Sequence, residues 1–244
     1  MLVEFCLPVK DEENILAANL QRILEFCCQA NFQFDWKIIG IVNASTDKTA
    51  DIFLEFKNKY LDKIEYIEIS SPGKGRAIRT YWNQSQADIL CYFDIDLAVS
   101  LEQLPLLINP LLLENVDLVI GSRLLGESKT NRSLLRETTS RSFNFLVSLL
   151  LPNKVADLQC GFKAIKAIPY KKISPFLRDN YWLFDSEIIL LCQHFSYRIK
   201  EIPVDWDENR YAKRQSKVKI INDLGKFLKG LFRLRLRLFF VPKS

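Results

Sequence analysis

Short apolar runs along the first half of the chain alternate with segments of helical spacing. "VEFCLP" at 3–8 reads as a strand, and residues 12–30 then place Ile15, Leu16, Leu20, Ile23, Leu24 and Cys27 on one helical face. "WKIIGIV" at 36–42 is a second strand, followed by a helix that Asp47 caps and that carries Ile52, Phe53 and Phe56. "KIEYIEI" at 63–69 leads into a helix from about 74 to 86, and "DILCYF" at 88–93 into a helix over 101–113. "VDLVIG" at 116–121 leads into a helix within 138–151. Such alternation predicts an α/β chain with a mostly parallel central sheet and helices on both faces. Residues 152–209 are less regular.

In such sheets ligands bind beyond the carboxyl ends of the strands. Pro8–Glu12, Asn43–Asp47, Asp94 with Asp96, and Gly121–Arg123 fall at those ends. Two carboxylates spaced Asp-x-Asp suit a hard divalent ion such as Mg2+, with substrate phosphates and water completing the shell. If the strand stays extended through Ile95, that side chain returns to the core and both acids share a side. The pair alone also fits a strand end at Asp94 with Asp96 or Ser100 capping the next helix.

Composition narrows the chemistry. With 244 residues, 48% hydrophobic and 26% charged, the chain has the make-up of an ordinary globular protein. Cys6, Cys27, Cys28, Cys91, Cys160 and Cys192 show no zinc-type spacing, and no signal peptide opens the sequence, so the expected compartment is the reduced cytoplasm. The lone His194 excludes histidine-based triads and imidazole zinc sites, leaving carboxylates, arginines and lysines to carry any reaction. No Gly-x-Gly-x-x-Gly follows the first strand, and "PGKGRAIR" lacks the Walker spacing. Charge or proline breaks the apolar runs short of the roughly 18 residues a membrane span needs.

Eight segments, in order, resemble the family-2 glycosyltransferases of GT-A fold and, within them, the polyprenyl-phosphate sugar synthases of dolichyl-phosphate glucose and mannose type. They are "LPVKDEENI", "IVNASTDKTADI", "PGKGRAIR", "DID", "VIGSR", "RETTSRSFN", "DLQCGFKAI" and "YWLFDSEIILL". The resemblance covers roughly residues 3–206 and implies a GT-A (Rossmann-like) domain over 1–209, with 1–123 as the nucleotide-sugar half and 124–209 as the acceptor half. It implies that Pro8, Val9, Glu12 and Asn43 line the base and ribose pocket, and that Lys74 and Arg79 approach the donor. Asp94 and Asp96 would hold Mg2+ or Mn2+. Arg123, Arg136 and Arg141 are candidates for donor or acceptor phosphates, since a guanidinium fork matches phosphate oxygens. Asp185 stands where related enzymes keep their base, Asp157 and Gln159 belong to the acceptor-facing segment, and Glu187 follows on the same helix. One departure concerns the second loop, where the family usually has two acids and a glycine; here the chain has Val42, Asn43 and Ala44.

The implied reaction is an inverting, metal-dependent transfer from a nucleotide diphosphate sugar, UDP-glucose-like or GDP-mannose-like. A metal and nearby cations stabilise the charge that develops on the leaving diphosphate. A sugar hydroxyl acceptor needs a general base, whereas a lipid monophosphate, with a second pKa of about 6, is already ionised. The expected acceptor is a polyprenyl phosphate at the cytoplasmic membrane face. The alternatives are a soluble acceptor, or a GT-A domain that binds nucleotide or a partner without turnover.

The charge is unevenly placed: residues 210–244 carry +10, against −5 on the first 209. The tail places Ile220, Leu224, Phe227, Leu228 and Leu231 on one helical stripe with Lys226 and Lys229 off it, the pattern of a basic amphipathic helix at an anionic membrane surface. The Leu-Arg alternation at 233–238 has a strand-like period, so the helix is expected to end before it. The alternative to peripheral membrane contact through 220–244 is a tail packed onto the body, or against a second copy in a homodimer. Nucleic acid is not the expected partner, because no Trp or Tyr lies past 211 to stack on bases.

Overall fold

The computed structural model describes residues 1–131, 134–151, 153–207 and 220–241, with the side chains of 134–136, 143, 150 and 220–228 outside the description. In chain order the elements are β1 (Leu2–Val9), α1 (Glu13–Gln29), β2 (Asp35–Asn43), α2 (Thr49–Lys59), β3 (Ile64–Ile69), α3 (Lys74–Trp82) and β4 (Ile89–Phe93). A 3-10 turn at Leu101–Gln103 opens into α4 (Leu104–Leu113), followed by β5 (Leu118–Ser122), β6 (Lys129–Asn131) and α5 (Leu134–Leu150). Then come β7 (Phe162–Lys166), α6 (Ala167–Ile173), α7 (Phe184–His194), β8 (Ile199–Pro203), β9 (Asp205–Asp207) and α8 (Ile220–Leu238).

Seven strands form one sheet in the order β3-β2-β1-β4-β7-β5-β8. All neighbours run parallel except β7, which is antiparallel to both β4 and β5. Every residue of β4 is buried, as a strand covered on both faces requires. Alternate residues serve the two layers: Ile89, Cys91 and Phe93 join the core beneath α1 and α4, and Leu90 and Tyr92 join the core beneath α3 and α7. The chain leaves β1 on one side to form β2 and later returns on the other to form β4. Strand order therefore reverses around β1, and a crevice opens at the carboxyl ends of β1 and β4. A separate parallel pair, β6 with β9, lies outside the main sheet.

The expected parallel-rich sheet is present, with several local differences. β7 was hidden because Lys163 sits at its second position and interrupts the apolar run, yet that lysine is only 1% exposed. α3 stops at Trp82 rather than 86, and α5 begins at Leu134. Asp47 accepts the backbone N–H of Thr49 and of Glu13, each at 3.0 Å, so one carboxylate joins the starts of α2 and α1. Ser100 makes no side-chain cap; its hydroxyl bonds Glu102 instead. α8 runs straight through the Leu-Arg alternation, because Leu231, Leu234 and the partly buried Leu238 recur at helical spacing against the body. Leu231, Leu234 and Val241 of the tail are buried against the body, while 210–219 and the side chains of Ile220, Leu224, Phe227 and Leu228 lie outside the described residues. Among the described residues no helix is long and apolar enough to cross a membrane.

At the end of β2, Ala44 is held at φ 51° while its N–H bonds Ile69 O at 2.7 Å. A side chain in this left-handed region costs about 1–2 kcal/mol, and glycine returns about 0.4–1 kcal/mol of that through unfolded-chain entropy. Ala44→Gly is therefore expected to gain up to about 1 kcal/mol in urea denaturation. A clear loss of stability would show that the conformation is not strained.

Candidate functional site

β4 stops at Phe93, and the chain turns at once. Leu97 N–H bonds Asp94 O at 3.1 Å, with Leu97 at φ 53°, so Asp94–Leu97 is a tight, strained turn rather than continued strand. Asn19 of α1, itself buried, donates to Ile95 O at 2.8 Å and pins the turn from below. Ile95 is buried as expected, although by turn geometry and not by an extended chain. Asp94 and Asp96 line one small cleft with Phe93, Ala98, Val99, Gly161 and Trp206. Asp96 Oδ1 also accepts Ala98 N–H at 3.2 Å.

Lys74 opens α3 and sets its ammonium 2.8 Å from Asp94 Oδ1, with its side chain only 10% exposed. The rings of Tyr92 and Trp182 lie 5.2 and 5.7 Å from the same nitrogen, within cation–π range. Burial works against the charge, but Asp94, Asp185 and Asp96 outweigh it and hold Lys74 above its ordinary range. Gly73, at φ 144°, precedes it, and Gly73 N–H bonds Asn43 Oδ1 at 3.0 Å. Asn43 thus anchors the loop that presents Lys74. Gly161 is required by close approach, since a Cβ there would fall 2.4 Å from Asp94 Oδ2 and 3.0 Å from Lys74 Nζ.

Behind this pair lies a second buried one. Asp185, in the first turn of α7, is 2% exposed and accepts hydrogen bonds from Tyr92 Oη and, at 2.8 Å, from Lys163 Nζ. Lys163 donates also to Cys160 O. Burial pushes the Asp185 carboxyl up and the Lys163 ammonium down from their ordinary ranges. Lys163, Tyr92, Trp182, Gly161 and Trp206 were not singled out from the sequence. Lys163 and Gly161 do stand within the quoted "DLQCGFKAI", and Trp182 within "YWLFDSEIILL".

Arg123, just past β5, binds Asp157 through Nε at 2.7 Å, Nη2 at 3.0 Å and its backbone N–H at 3.1 Å, while the guanidinium lies 4.9 Å from the Trp206 ring centre. Trp206 Nε1 is buried and has no hydrogen-bond partner among the described residues. Burial alone would raise the Asp157 carboxyl, but Arg123 and the Gln159 N–H hold it down to about 2. A carboxylate so committed is a poor proton acceptor, and its place is to orient Arg123. Gln159 turns its amide to Ser186 Oγ at 2.6 Å.

Other candidates lie apart. Arg79 spends its guanidinium on Leu177 O (3.0 Å) and Asn180 Oδ1 (2.7 Å). It lines an open pocket with Asn83, Lys171, Ser174 and Arg178 that shares no residue with the acid cleft. Arg141 is exposed and pairs with Glu137 at 2.8 Å, and the Arg136 side chain is outside the description. Glu187 is buried, with Oε2 on the N–H groups of Arg178 and Asp179 and Oε1 on Arg237, a structural use. Pro8 and Val9 end β1, and Glu12 donates its N–H to Thr49 Oγ1 at 2.9 Å. Among the described residues no cluster of three or more His, Cys, Asp or Glu could cage a metal alone. Two carboxylates on one cleft fit an oxygen-seeking divalent ion whose other ligands come from a diphosphate and water.

The depressed Asp157 carboxyl carries a pH signature. A folded-state value of about 2 against an ordinary 3.8 contributes roughly 2.5 kcal/mol above pH 3.8. That contribution is lost as pH falls through about 2. The stability gap between the parent and Asp157→Asn should shrink by about 2 kcal/mol between pH 5 and 2; a gap constant over that window would contradict the ion pair.

Comparison with known proteins agrees with this geometry. The Glycosyl transferase family 2 profile matches residues 4–174. Glycosyltransferase AglD of Haloferax volcanii is 32% identical over 152 residues, covering 62% of this chain and 24% of that protein. Dolichyl-phosphate beta-glucosyltransferase ALG5D of Trichomonas vaginalis is 27% identical over 215 residues, covering 84% of this chain and 66% of its own length. The human dolichyl-phosphate beta-glucosyltransferase is 31% identical over 184 residues, covering 72% and 57%. The chain thus spans from about a quarter to about two thirds of these relatives. In fold, it resembles glucosyl-3-phosphoglycerate synthase from Mycobacterium tuberculosis in complex with UDP, with a TM-score of 0.67, 20% identity, and coverage of 99% of this chain and 81% of that one. The same synthase has been crystallised with Mn2+ and with Mg2+. With its sheet, its reversal point and its acid-bearing turn in place, the chain belongs to glycosyl transferase family 2.

Proposed function

We propose that the chain is an inverting, metal-dependent glycosyltransferase that moves a sugar, glucose by analogy with its relatives, from a nucleotide diphosphate sugar to a polyprenyl phosphate. The observation that carries this reading is the meeting of Asp94, Asp96 and the Lys74 ammonium at the carboxyl end of β4. Pro8, Val9, Glu12 and Asn43 flank the crevice as the base and ribose side, and Asn43, whose Oδ1 accepts Gly73 N–H, still has its amide N–H groups for a base edge. Asp94 and Asp96 would hold Mg2+ or Mn2+, which when bound neutralises charge on the leaving diphosphate. Lys74 lies where it can pass from Asp94 to a phosphate oxygen as negative charge develops there. Arg123, braced by Asp157 and Trp206, supplies a second fixed cation.

The surroundings of Asp185 bear on the acceptor. Its side chain is 3% exposed and already bonded to Lys163 and Tyr92, which disfavours direct proton abstraction from a sugar hydroxyl. A lipid monophosphate, mostly ionised at neutral pH, needs no such base. Asp185 then serves by holding Lys74 charged and Tyr92 in place. The relatives named as dolichyl-phosphate beta-glucosyltransferases support this acceptor class. Residues 1–123 form the donor half and 124–209 the acceptor half.

Phe145 and Leu149 of α5, with Phe232, Leu236, Phe239 and Phe240 at and beyond the end of α8, are exposed beside Arg233 and Arg235. This mix of aromatic, aliphatic and basic groups supports peripheral contact with the cytoplasmic face of a membrane. A homodimer contact is the competing use of that surface; flotation with anionic liposomes against sedimentation in their absence separates the two. The loss of an acid at Val42 and Asn43 favours a second reading, a domain that binds nucleotide without turnover.

Asp94→Asn and Asp96→Asn are each expected to slow transfer of labelled glucose from UDP-glucose to a polyprenyl phosphate on the order of a hundredfold. Unchanged rates would overturn the metal assignment. Metal-dependent UDP binding by the parent chain with no transfer to any lipid or soluble acceptor would favour the binding domain instead.

A further inference from the structure

α8 lies along α7, and its contacts follow the same order on both helices. Gly230 faces Leu183 so closely that a Cβ there would come 2.5 Å from Leu183 Cδ2. Leu231 and Leu234 are buried in the core that holds Leu183, Phe184 and Ile188. Arg237 donates to Glu187 Oε1, and beyond the helix end Val241 O meets His194 Nε2 at 3.0 Å.

The Arg237 contact continues inward. Glu187 is 2% exposed, and its other oxygen accepts Arg178 N–H at 2.8 Å and Asp179 N–H at 2.9 Å. Asp179 Oδ1 in turn accepts Tyr181 N–H at 2.7 Å and Phe184 N–H at 3.2 Å. The same loop docks on the first turn of α3, through Asn180 O on Arg76 N–H at 3.0 Å and Tyr181 O on Gly75 N–H at 3.2 Å. Its Trp182 ring lies 5.7 Å from Lys74 Nζ. A continuous run of bonds therefore leads from the tail, through one buried carboxylate, to the helix start that presents Lys74.

We propose that α8 is a positioning element of the site, with Arg237 and Glu187 as its positioning residues. Through them and the Gly230–Leu183 contact the tail holds the 178–184 loop, and with it Trp182 and the first turn of α7 that carries Asp185. Physically, Glu187 needs a cation: with Arg237 gone, a carboxylate lies buried with uncompensated charge, and the loop it grips must shift to hydrate it. Neither residue touches the acid cleft, so both act by placement. The proposal rests on the glycosyltransferase reading only for its activity readout.

The test compares the full chain with Arg237→Ala, Arg237→Lys and Glu187→Gln by hydrogen exchange resolved over residues 178–184. Arg237→Ala should speed exchange at Asp179 and its neighbours at least about tenfold, and raise the KM for polyprenyl phosphate on the order of tenfold with a smaller change in kcat. Arg237→Lys should restore most of both. Glu187→Gln keeps side-chain volume but removes the charge and one acceptor oxygen from the grip, so it should show the same local loosening even if Arg237→Ala folds poorly. Unchanged exchange over 178–184 in both Arg237→Ala and Glu187→Gln overturns the proposal. If the parent transfers no sugar, the functional reading fails, while the exchange result still judges the positioning role by itself.

Discussion

The ion pair between Lys74 and Asp94 sits where the two sides of the crevice meet. Lys74 comes from a helix start that Asn43 anchors through Gly73, and Asp94 from a strand end that α1 pins through Asn19. Tyr92 and Trp182 wall the ammonium, and Gly161 leaves it room. Burying an isolated charge costs several kcal/mol, and so the surroundings must answer it with opposite charge. They do, with Asp94 in contact and Asp96 and Asp185 nearby. A cation kept charged in a partly dry crevice, next to carboxylates suited to a divalent ion, is an electrostatic setting prepared for an anionic leaving group.

The antiparallel β7 accounts for much of this arrangement. Threaded between β4 and β5, it brings Gly161 and Lys163 beside Tyr92 and Asp94, and lets α7 return with Asp185 at its start. Lys163 then balances Asp185 as Lys74 balances Asp94, and Arg123 balances Asp157. The buried Asp157 and Asp185 and the partly exposed Asp94 each pair with a cation. The pairing explains why the site tolerates so much burial, and why Asp157 is held low while Asp185 is pushed up: Arg123 grips with a bidentate fork, whereas Lys163 is itself almost wholly desolvated.

Much of the sheet was legible because β1, β2 and β4 are largely buried and read as mostly apolar runs, of which that of β4 is unbroken. β7 was not, since a central strand carrying a buried lysine looks polar until its partner Asp185 is known. α8 was misjudged at its end for a related reason: alternating Leu and Arg hides the 231, 234, 238 stripe that packs on the body. In the site, Asp94 and Asp96 stood out at a strand end, and Lys74 through the resemblance carried by "PGKGRAIR". Arg79, Asp157 and Glu187 were visible as candidates, but their partners at Leu177 and Asn180, Arg123 and Arg237 are set by tertiary contact across 34 to 101 residues. Residue type cannot reveal such commitments. Trp206 escaped notice because a lone tryptophan near a chain turn carries no spacing signal, and only the fold bridges it to Val99 beside the acids.

The central claim is that Asp94, Asp96 and Lys74 receive the diphosphate and its metal. Diffraction from crystals grown with UDP and Mn2+, with the anomalous signal locating the ion, tests it most directly. The expected result is a manganese peak at the Asp94 and Asp96 carboxylates, the diphosphate beside it, and the Lys74 ammonium on a phosphate oxygen. A nucleotide seated instead in the Arg79–Arg178 pocket, or a manganese peak away from both acids, would contradict it.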